Sequence, residues 1–310
     1  MKMKLHYRKI IRSIYLMRIN LFSLLILFTF LLSNSEITAQ KKKKKDELVR
    51  MHTPYGEMLI LLYDDTPLHK ENFLKLVKEG FYDSTTFHRV INDFMIQGGD
   101  PNSKDSIKGN DGSGGPRYTI ESEFEAGHKH FKGALAAARK GDRANPERAS
   151  SGSQFYIVEG QKVDSLQLIK LETDKNMKNL FRIMSEVAKE PGADTLAIKY
   201  QEYRDAGDYA AFEEWLLSIK PALLEYSDKY YEVDYSELDI KRYQEFGGAP
   251  HLDGEYTVFG RVIDGLEVID KISEVKTNYS DRPETDIKIA VEVEEWKRKK
   301  LIKEYGDIYN

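Results

Sequence analysis

Strict alternation of Ile287, Ile289, Val291 and Val293 marks a half-buried strand within residues 286–296, and it is the last of eight strand-like runs in the chain. The other seven fall at residues 48–53, 57–63, 87–91, 95–98, 133–139, 154–159 and 256–263. Pro54-Tyr55-Gly56 between the first two reads as a hairpin turn. Only two helical stretches accompany these runs. One opens at Thr66-Pro67, gathers Phe73, Leu74, Leu76 and Val77 on one face and stops at Gly80; the other covers residues 265–273. Parallel strands need a crossover helix between nearly every pair, so eight strands with two helices cannot form a doubly wound sheet. The expected fold is mainly β: a closed eight-stranded antiparallel β-barrel capped by two helices, with an α-helical insertion.

The insertion shows as a change of pattern between Gly160 and Gly247. Residues 161–246 carry 12 Lys/Arg against 18 Asp/Glu and 8 of the chain's 19 tyrosines. Apolar residues there recur at helical spacing: Leu166, Ile169, Leu180, Ile183, Met184 and Val187, then Tyr209, Phe212, Leu216 and Ile219. Three or four helices are expected, broken at Pro191-Gly192 and Ala206-Gly207. Ser236 with Asp239 forms a capping box for the last. The expected organisation is a signal segment at 1–39, a basic linker at 40–47, a β domain at 48–295 interrupted at 161–246, and a tail at 296–310.

The first 39 residues have the order of a secretory signal. Six basic residues from Lys2 to Arg18 precede an apolar run at 21–32, and a small-residue exit follows at Thr38-Ala39. That run is too short for the roughly 20 residues of a spanning helix. Cleavage after Ala39 and periplasmic delivery is the favoured reading, and an uncleaved membrane anchor is the other. Residues 1–39 hold six basic residues and one acidic, so their loss moves the formal charge from −4 to −9. Lys41, Lys42, Lys43, Lys44 and Lys45 then form a solvated tether, with weak contact to an anionic membrane surface as the sharper reading. An acidic chain lacks the basic excess of a nucleic-acid binder. The absence of cysteine excludes disulfides, a thiol nucleophile and Cys-built metal sites.

The segment that carries chemistry is Phe87-His88-Arg89-Val90-Ile91 followed by Phe94-Met95-Ile96-Gln97-Gly98-Gly99-Asp100. A five-donor cation in an otherwise apolar strand, beside a Phe-Met pair and a glutamine, suits an apolar ligand with a polar backbone. A plain ion pair of Arg89 across the sheet is the structural alternative. His128 and His130 would share one side of a strand, yet no carboxylate at a recognisable spacing completes a metal site, so no metal is assigned. The Gly-rich run 109–115 lacks the Lys-Ser/Thr of a phosphate loop and reads as a surface loop.

The strings FHRVI, FMIQGGD, GALAAAR, SGSQFYIV and HLDGEYTVFGRV, in that order, resemble the cyclophilin-type peptidyl-prolyl cis-trans isomerases. The resemblance covers residues 48–159 and 250–295 and leaves out the signal, the insert and the tail. It implies an isomerase of X-Pro bonds that needs no cofactor and acts on proline-containing polypeptides. By motif, Arg89 matches the family's catalytic arginine. Phe94, Met95, Tyr156 and Leu252 match its proline pocket, and Gln97 and Gln154 match polar groove residues. Phe155, alternating with Tyr156, should point into the core. Some positions depart from the pattern. His251 stands where many members carry a tryptophan that contacts cyclosporin, Tyr256 stands for a histidine, and Tyr156 stands for a phenylalanine. Arg139 stands for an asparagine whose main chain contacts substrate. All four keep their places among the substrate-binding candidates. The leading expectation is an isomerase serving the folding of exported or envelope proteins. The alternative is a non-catalytic scaffold whose insert binds unfolded chains or an envelope partner.

Overall fold

A computed structural model describes residues 44–105, 107, 109–124, 127–226 and 232–306. The expected signal segment and Lys41, Lys42 and Lys43 lie outside the described residues. The chain opens with β1 (Lys45–Thr53) and β2 (Gly56–Leu62), an antiparallel hairpin in the register Thr53↔Gly56 to Leu48↔Leu61. Gly56 turns it at φ 134°, where a Cβ would stand 2.8 Å from Val268 Cγ2. Helix α1 (Pro67–Lys78) follows, its proline in the first turn where no N–H is needed. It buries Phe73, Leu74, Leu76 and Val77 and ends before Gly80, which takes φ 66°.

Short strands come next: β3 (Arg89–Ile91), β4 (Met95–Gly98), β5 (Thr119–Ile120), β6 (Ala134–Ala137), β7 (Ser150–Ser151) and β8 (Phe155–Val158). The insert then supplies α2 (Ser165–Val187), α3 (Asp194–Ala206), α4 (Tyr209–Tyr226) and α5 (Glu237–Glu245). The chain closes with β9 (Val258–Asp264), α6 (Leu266–Ser273), β10 (Ala290–Lys297) and α7 (Arg298–Tyr305). Two elements extend past the expected boundaries: β1 begins inside the basic linker, and α7 occupies the expected tail. A small unit of Lys44–Asp46 with Lys297–Lys299 is held by Arg298 donating to both Asp46 carboxylate oxygens at 2.9 and 2.7 Å.

Eight strands form one sheet in the order β10-β1-β2-β9-β6-β8-β4-β3, while β5 and β7 pair separately. The six successive pairings from β1 to β3 are antiparallel. Ahead of the two end strands, Ser84 N–H donates to Ile289, Phe87 to Ile287, and Ile289 back to Thr85, at 2.9–3.0 Å. Period-two alternation divides the residues between two apolar clusters. Leu135, Ala137, Phe155 and Ile157 join Phe73, Phe87, Ile96 and Phe259 in the main core, as expected for Phe155. Ala134, Ala136, Tyr156 and Val158 meet Met95 and Val258 on the opposite face.

The insert leaves and rejoins the sheet domain through one stem. Gln161 and Gly248 exchange backbone bonds of 3.1 and 2.9 Å. Asp164 with Gln167 caps α2, and the predicted Ser236–Asp239 box caps α5. Leu180, Ile183, Met184, Phe212, Leu216 and Leu223 form a separate core, so the helical periodicity from 180 onward is a packing signal, whereas Leu166, Ile169 and Tyr209 are exposed. A second seam, of Leu168, Val233, Tyr235 and Tyr243 with Phe131, joins insert to sheet domain.

Candidate active site

Sheet register collects the site before any side-chain detail is considered. Arg89 lies opposite Gln97, Gln97 opposite Tyr156, Tyr156 opposite Ala136, and Ala136 opposite Val258. Directly opposed residues share a face, so one row across β3, β4, β8, β6 and β9 carries a cation, an amide, a phenol and two small apolar groups. Ile91, Met95 and Val158 form the next row. Alanines at 134, 136 and 138 keep this face low, leaving room for larger side chains from neighbouring turns.

The polar side of the site is a chain of side-chain bonds. The Arg89 guanidinium donates to Gln97 Oε1 at 3.4 Å, and Gln97 Nε2 donates to Gln154 Oε1 at 3.2 Å. Gln154 Nε2 in turn donates to the carbonyls of Gly112 and Gly114 at 3.0 and 2.9 Å. The Gly-rich run thus anchors the glutamine chain. Arg89 also meets Asp281 at 3.5 Å and stays 43% exposed. The ion pair expected as the structural alternative therefore exists, but it is long and solvent-facing, worth about 0–1 kcal/mol.

The apolar side is built from three places. Met95 and Tyr156 come from the sheet, while Phe94, Leu252 and Tyr256 are half-buried against them. The Phe94 carbonyl accepts from the N–H groups of Glu159 and Gly160 at 3.0 and 3.1 Å, which fixes the residue ahead of β4. Leu252 and His251 ride on a single 3-10 turn, Pro250–Leu252, and the His251 ring lies 5.2 Å from that of Phe94. Partial desolvation, then nearby His130 and Lys175, lowers the His251 pKa, although the residue as a whole is solvent-exposed. Tyr256 stands edge-on to Tyr156 at 5.8 Å.

Arg139 has a different place from Arg89. Its side chain is 4% exposed, lies 4.6 Å over the Tyr256 ring, and donates to the Glu255 carbonyl at 2.7 Å and to Asp142 at 2.6 Å. The guanidinium is a strut behind Tyr256. The two histidines considered for a metal are also separated. His128 bonds Asp65 at 2.8 Å and stacks on Tyr63. His130 is fully buried and bonds Asp253.

Sequence reasoning missed a buried polar group behind the pocket wall. Asp253 Oδ1 accepts from His130 N–H at 2.7 Å and bonds His130 Nδ1 at 2.8 Å; His130 Nε2 meets the Tyr156 hydroxyl at 2.9 Å. Burial would raise the Asp253 pKa, but bonds and charge from His130, with the Tyr243 hydroxyl, outweigh it and hold the carboxyl below its usual value. The carboxylate accepts only, so Nδ1 carries a proton toward it, and the other ring nitrogen shares a bond with the Tyr156 hydroxyl. The hydroxyl that distinguishes Tyr156 from a phenylalanine is spent on His130. Burial raises this phenol's pKa well above its usual value, keeping it protonated.

A rail of donors beside an apolar cleft, with an exposed cation at its edge, defines a site for an apolar ring joined to a polar backbone. The chain belongs to the cyclophilin-type peptidyl-prolyl cis-trans isomerase family, and it has the isomerase activity of that class. The family model "Cyclophilin type peptidyl-prolyl cis-trans isomerase/CLD" matches residues 48–177 and 243–293, leaving most of the insert unmatched. A protein of Staphylococcus aureus named "Putative peptidyl-prolyl cis-trans isomerase" is 33% identical over 249 residues, covering 80% of this chain and 91% of its own. A Staphylococcus epidermidis protein of the same name is 32% identical over 252 residues with the same coverage. Among solved structures, a cyclophilin-type isomerase of Cryptosporidium parvum superimposes with TM-score 0.46 at 21% identity, covering 81% of this chain and 98% of that one.

Proposed function

We propose that Arg89 is the catalytic residue, that Phe94, Met95, Tyr156 and Leu252 hold the proline ring, and that Gln97 and Gln154 bind the substrate backbone. The observation that carries this assignment is the row Arg89–Gln97–Tyr156 on one sheet face. Rotation about a peptide bond meets a barrier of roughly 18–20 kcal/mol because the nitrogen lone pair is delocalised into the carbonyl. No bond breaks, so no nucleophile is required. As the bond twists, the prolyl nitrogen regains its lone pair and becomes an acceptor for the Arg89 guanidinium. That interaction exists only in the twisted state, so it lowers the barrier and not merely the energy of the bound substrate. His251, Tyr256 and the Arg139 main chain border the same cleft and complete the substrate-binding set.

NMR exchange spectroscopy on an Ala-Pro peptide with catalytic amounts of protein tests the assignment. Arg89→Ala should lose roughly 10²–10³ in kcat, as for removal of one donor to a developing acceptor. Equal rates for variant and wild type would remove Arg89 from the mechanism.

The substrates we propose are exported or envelope polypeptides, on the strength of the basic, apolar and small-residue order of 1–39. Mass spectrometry of the native N-terminus tests cleavage after Ala39, and an intact leader points to the anchored alternative. We also read the sheet as a closed barrel; the backbone bonds between Ser84–Phe87 and Ile287–Ile289 support closure. A second reading, in which the insert binds unfolded chains, is favoured by an open hollow of ≈ 350 Å³ where Met177, Phe181, Tyr200, Tyr209 and Phe212 are ringed by Asp174, Lys178, Arg204 and Glu213.

A further inference from the structure

Three insert side chains end on one residue of the sheet domain. Asp253 follows directly on the turn that carries His251 and Leu252. Its Oδ2 accepts from the Tyr235 hydroxyl at 2.9 Å and the Tyr243 hydroxyl at 2.6 Å, and its main-chain carbonyl accepts from Lys175 Nζ at 2.7 Å. The Pro250 carbonyl lies 3.2 Å from the same Tyr235 hydroxyl and is the weaker competitor for its one proton. The other carboxylate oxygen holds His130, which holds the Tyr156 hydroxyl, with the two rings parallel to within 10°. Asp253, His130 and Tyr243 are buried to 1% exposure or less.

A three-residue turn has few bonds of its own. Leu252 N–H reaches the Ala249 carbonyl and Asp253 N–H the Pro250 carbonyl, at 2.9 and 3.1 Å. Its position is therefore set by what grips Asp253, and two of the four donors on that carboxylate belong to the insert. Gly248 makes the grip possible: a Cβ there would stand 2.6 Å from the Tyr243 ring. Burial and the adjacent carboxylate raise the Tyr243 pKa well above its usual value, so it stays a donor.

We infer that the insert shapes the proline pocket of this enzyme: Tyr235, Tyr243 and Lys175 are positioning residues that act through Asp253 and His130 on Leu252, His251 and the Tyr156 ring. The inference rests on the pocket assignment made above. These groups do not touch the reacting bond, so they govern how well substrate is held and leave the twisted-state bond of Arg89 alone. Their loss belongs in KM, not in kcat.

The test compares the full chain with the double variant Tyr235→Phe/Tyr243→Phe, which removes two hydroxyls and keeps both rings. Exchange rates on the Ala-Pro peptide over a concentration series give KM and kcat. KM should rise roughly five- to tenfold with kcat within about twofold, the size expected for buried hydrogen bonds lost at a binding wall. The Met95 methyl resonance should shift in the same variant. Leu180→Ala, in the separate insert core, should lower Tm and leave both KM and the Met95 methyl unmoved. An unchanged KM in the folded double variant overturns the inference, as does an equal KM change in Leu180→Ala. Should the double variant not fold, Tyr235→Phe alone is read against the same control, with a smaller KM rise expected and no rise overturning the proposal. A wild-type protein without exchange activity would instead remove the isomerase assignment, and the inference with it.

Discussion

Arg89 and Asp253 flank the same apolar wall and are held in opposite ways. Arg89 is 43% exposed, and its guanidinium bonds are long, at 3.4 and 3.5 Å. Asp253 is 1% exposed, and four donors meet its carboxylate at 2.6–2.9 Å. A group that must bond a transient acceptor keeps donors in reserve, whereas a group that shapes a wall is saturated. On the proposed assignment, catalysis and architecture are separated along one cleft, with the insert on the architectural side.

The largest way to break that contrast is Asp253→Ala. It leaves His130 and two tyrosine hydroxyls facing a void without their acceptor, and removing one partner of a buried charge network costs about 3–5 kcal/mol. Arg89→Ala should change stability by no more than about 1 kcal/mol, as for a long, solvent-facing ion pair. Urea titrations of the two variants measure both. Comparable losses would mean that Arg89 is as structural as Asp253.

Acid should destabilise the fold through its histidines. Partial desolvation lowers the pKa of His251, and burial likewise lowers His69 and His88, from the ordinary 6.5. Between each folded value and 6.5 the unfolded chain binds more protons than the folded one, so unfolding free energy rises with pH there. Stability should therefore be complete above pH 6.5 and decline as pH falls below it. Asp253, lowered from 3.8, adds stability above that value that is lost as pH falls through its folded pKa. Urea midpoints from pH 8 to pH 5 should fall on the acid side. A flat profile would show that the buried histidines His69 and His88 carry no such coupling.

The two sides also differed in how far they could be foreseen. Strand register brings Arg89, Gln97 and Tyr156 together, but what makes them legible in the sequence is their place in motifs that resemble the family, since strands of three or four mostly apolar residues are too short and too uniform to fix a register. The helix breaks of the insert were equally visible, because Pro191-Gly192, Ala206-Gly207 and the Ser236–Asp239 box are local signals. The Asp253 cluster was not, since its donors come from positions 130, 235 and 243, on segments with no shared periodicity. His128 and His130, to which no metal is assigned, lie in no strand and bond different carboxylates, Asp65 and Asp253, that the sequence does not place beside them. Arg139 stood in a motif, yet nothing local foretold that Glu255 and Asp142 would take up its guanidinium. The two-residue strands β5 and β7 are too short to show a period.

The smallest predicted effect separates buried from exposed links between insert and pocket. Lys178 also reaches across, to Glu255 at 3.7 Å, but its side chain is 68% exposed. Glu255 is already met by Arg148 at 3.1 Å and Arg139 at 3.4 Å, so losing Lys178 leaves it paired. An exposed pair of this length is worth about 0–1 kcal/mol and is screened by salt. Lys178→Met should leave KM for the Ala-Pro peptide within about twofold and Tm unchanged, at both low and high salt. The Tyr235→Phe/Tyr243→Phe protein, measured alongside, should show its raised KM at both salt concentrations, because buried neutral donors are not screened. A salt-sensitive KM change in Lys178→Met as large as that of the tyrosine pair would mean that surface charge, not the buried carboxylate, couples the insert to the pocket.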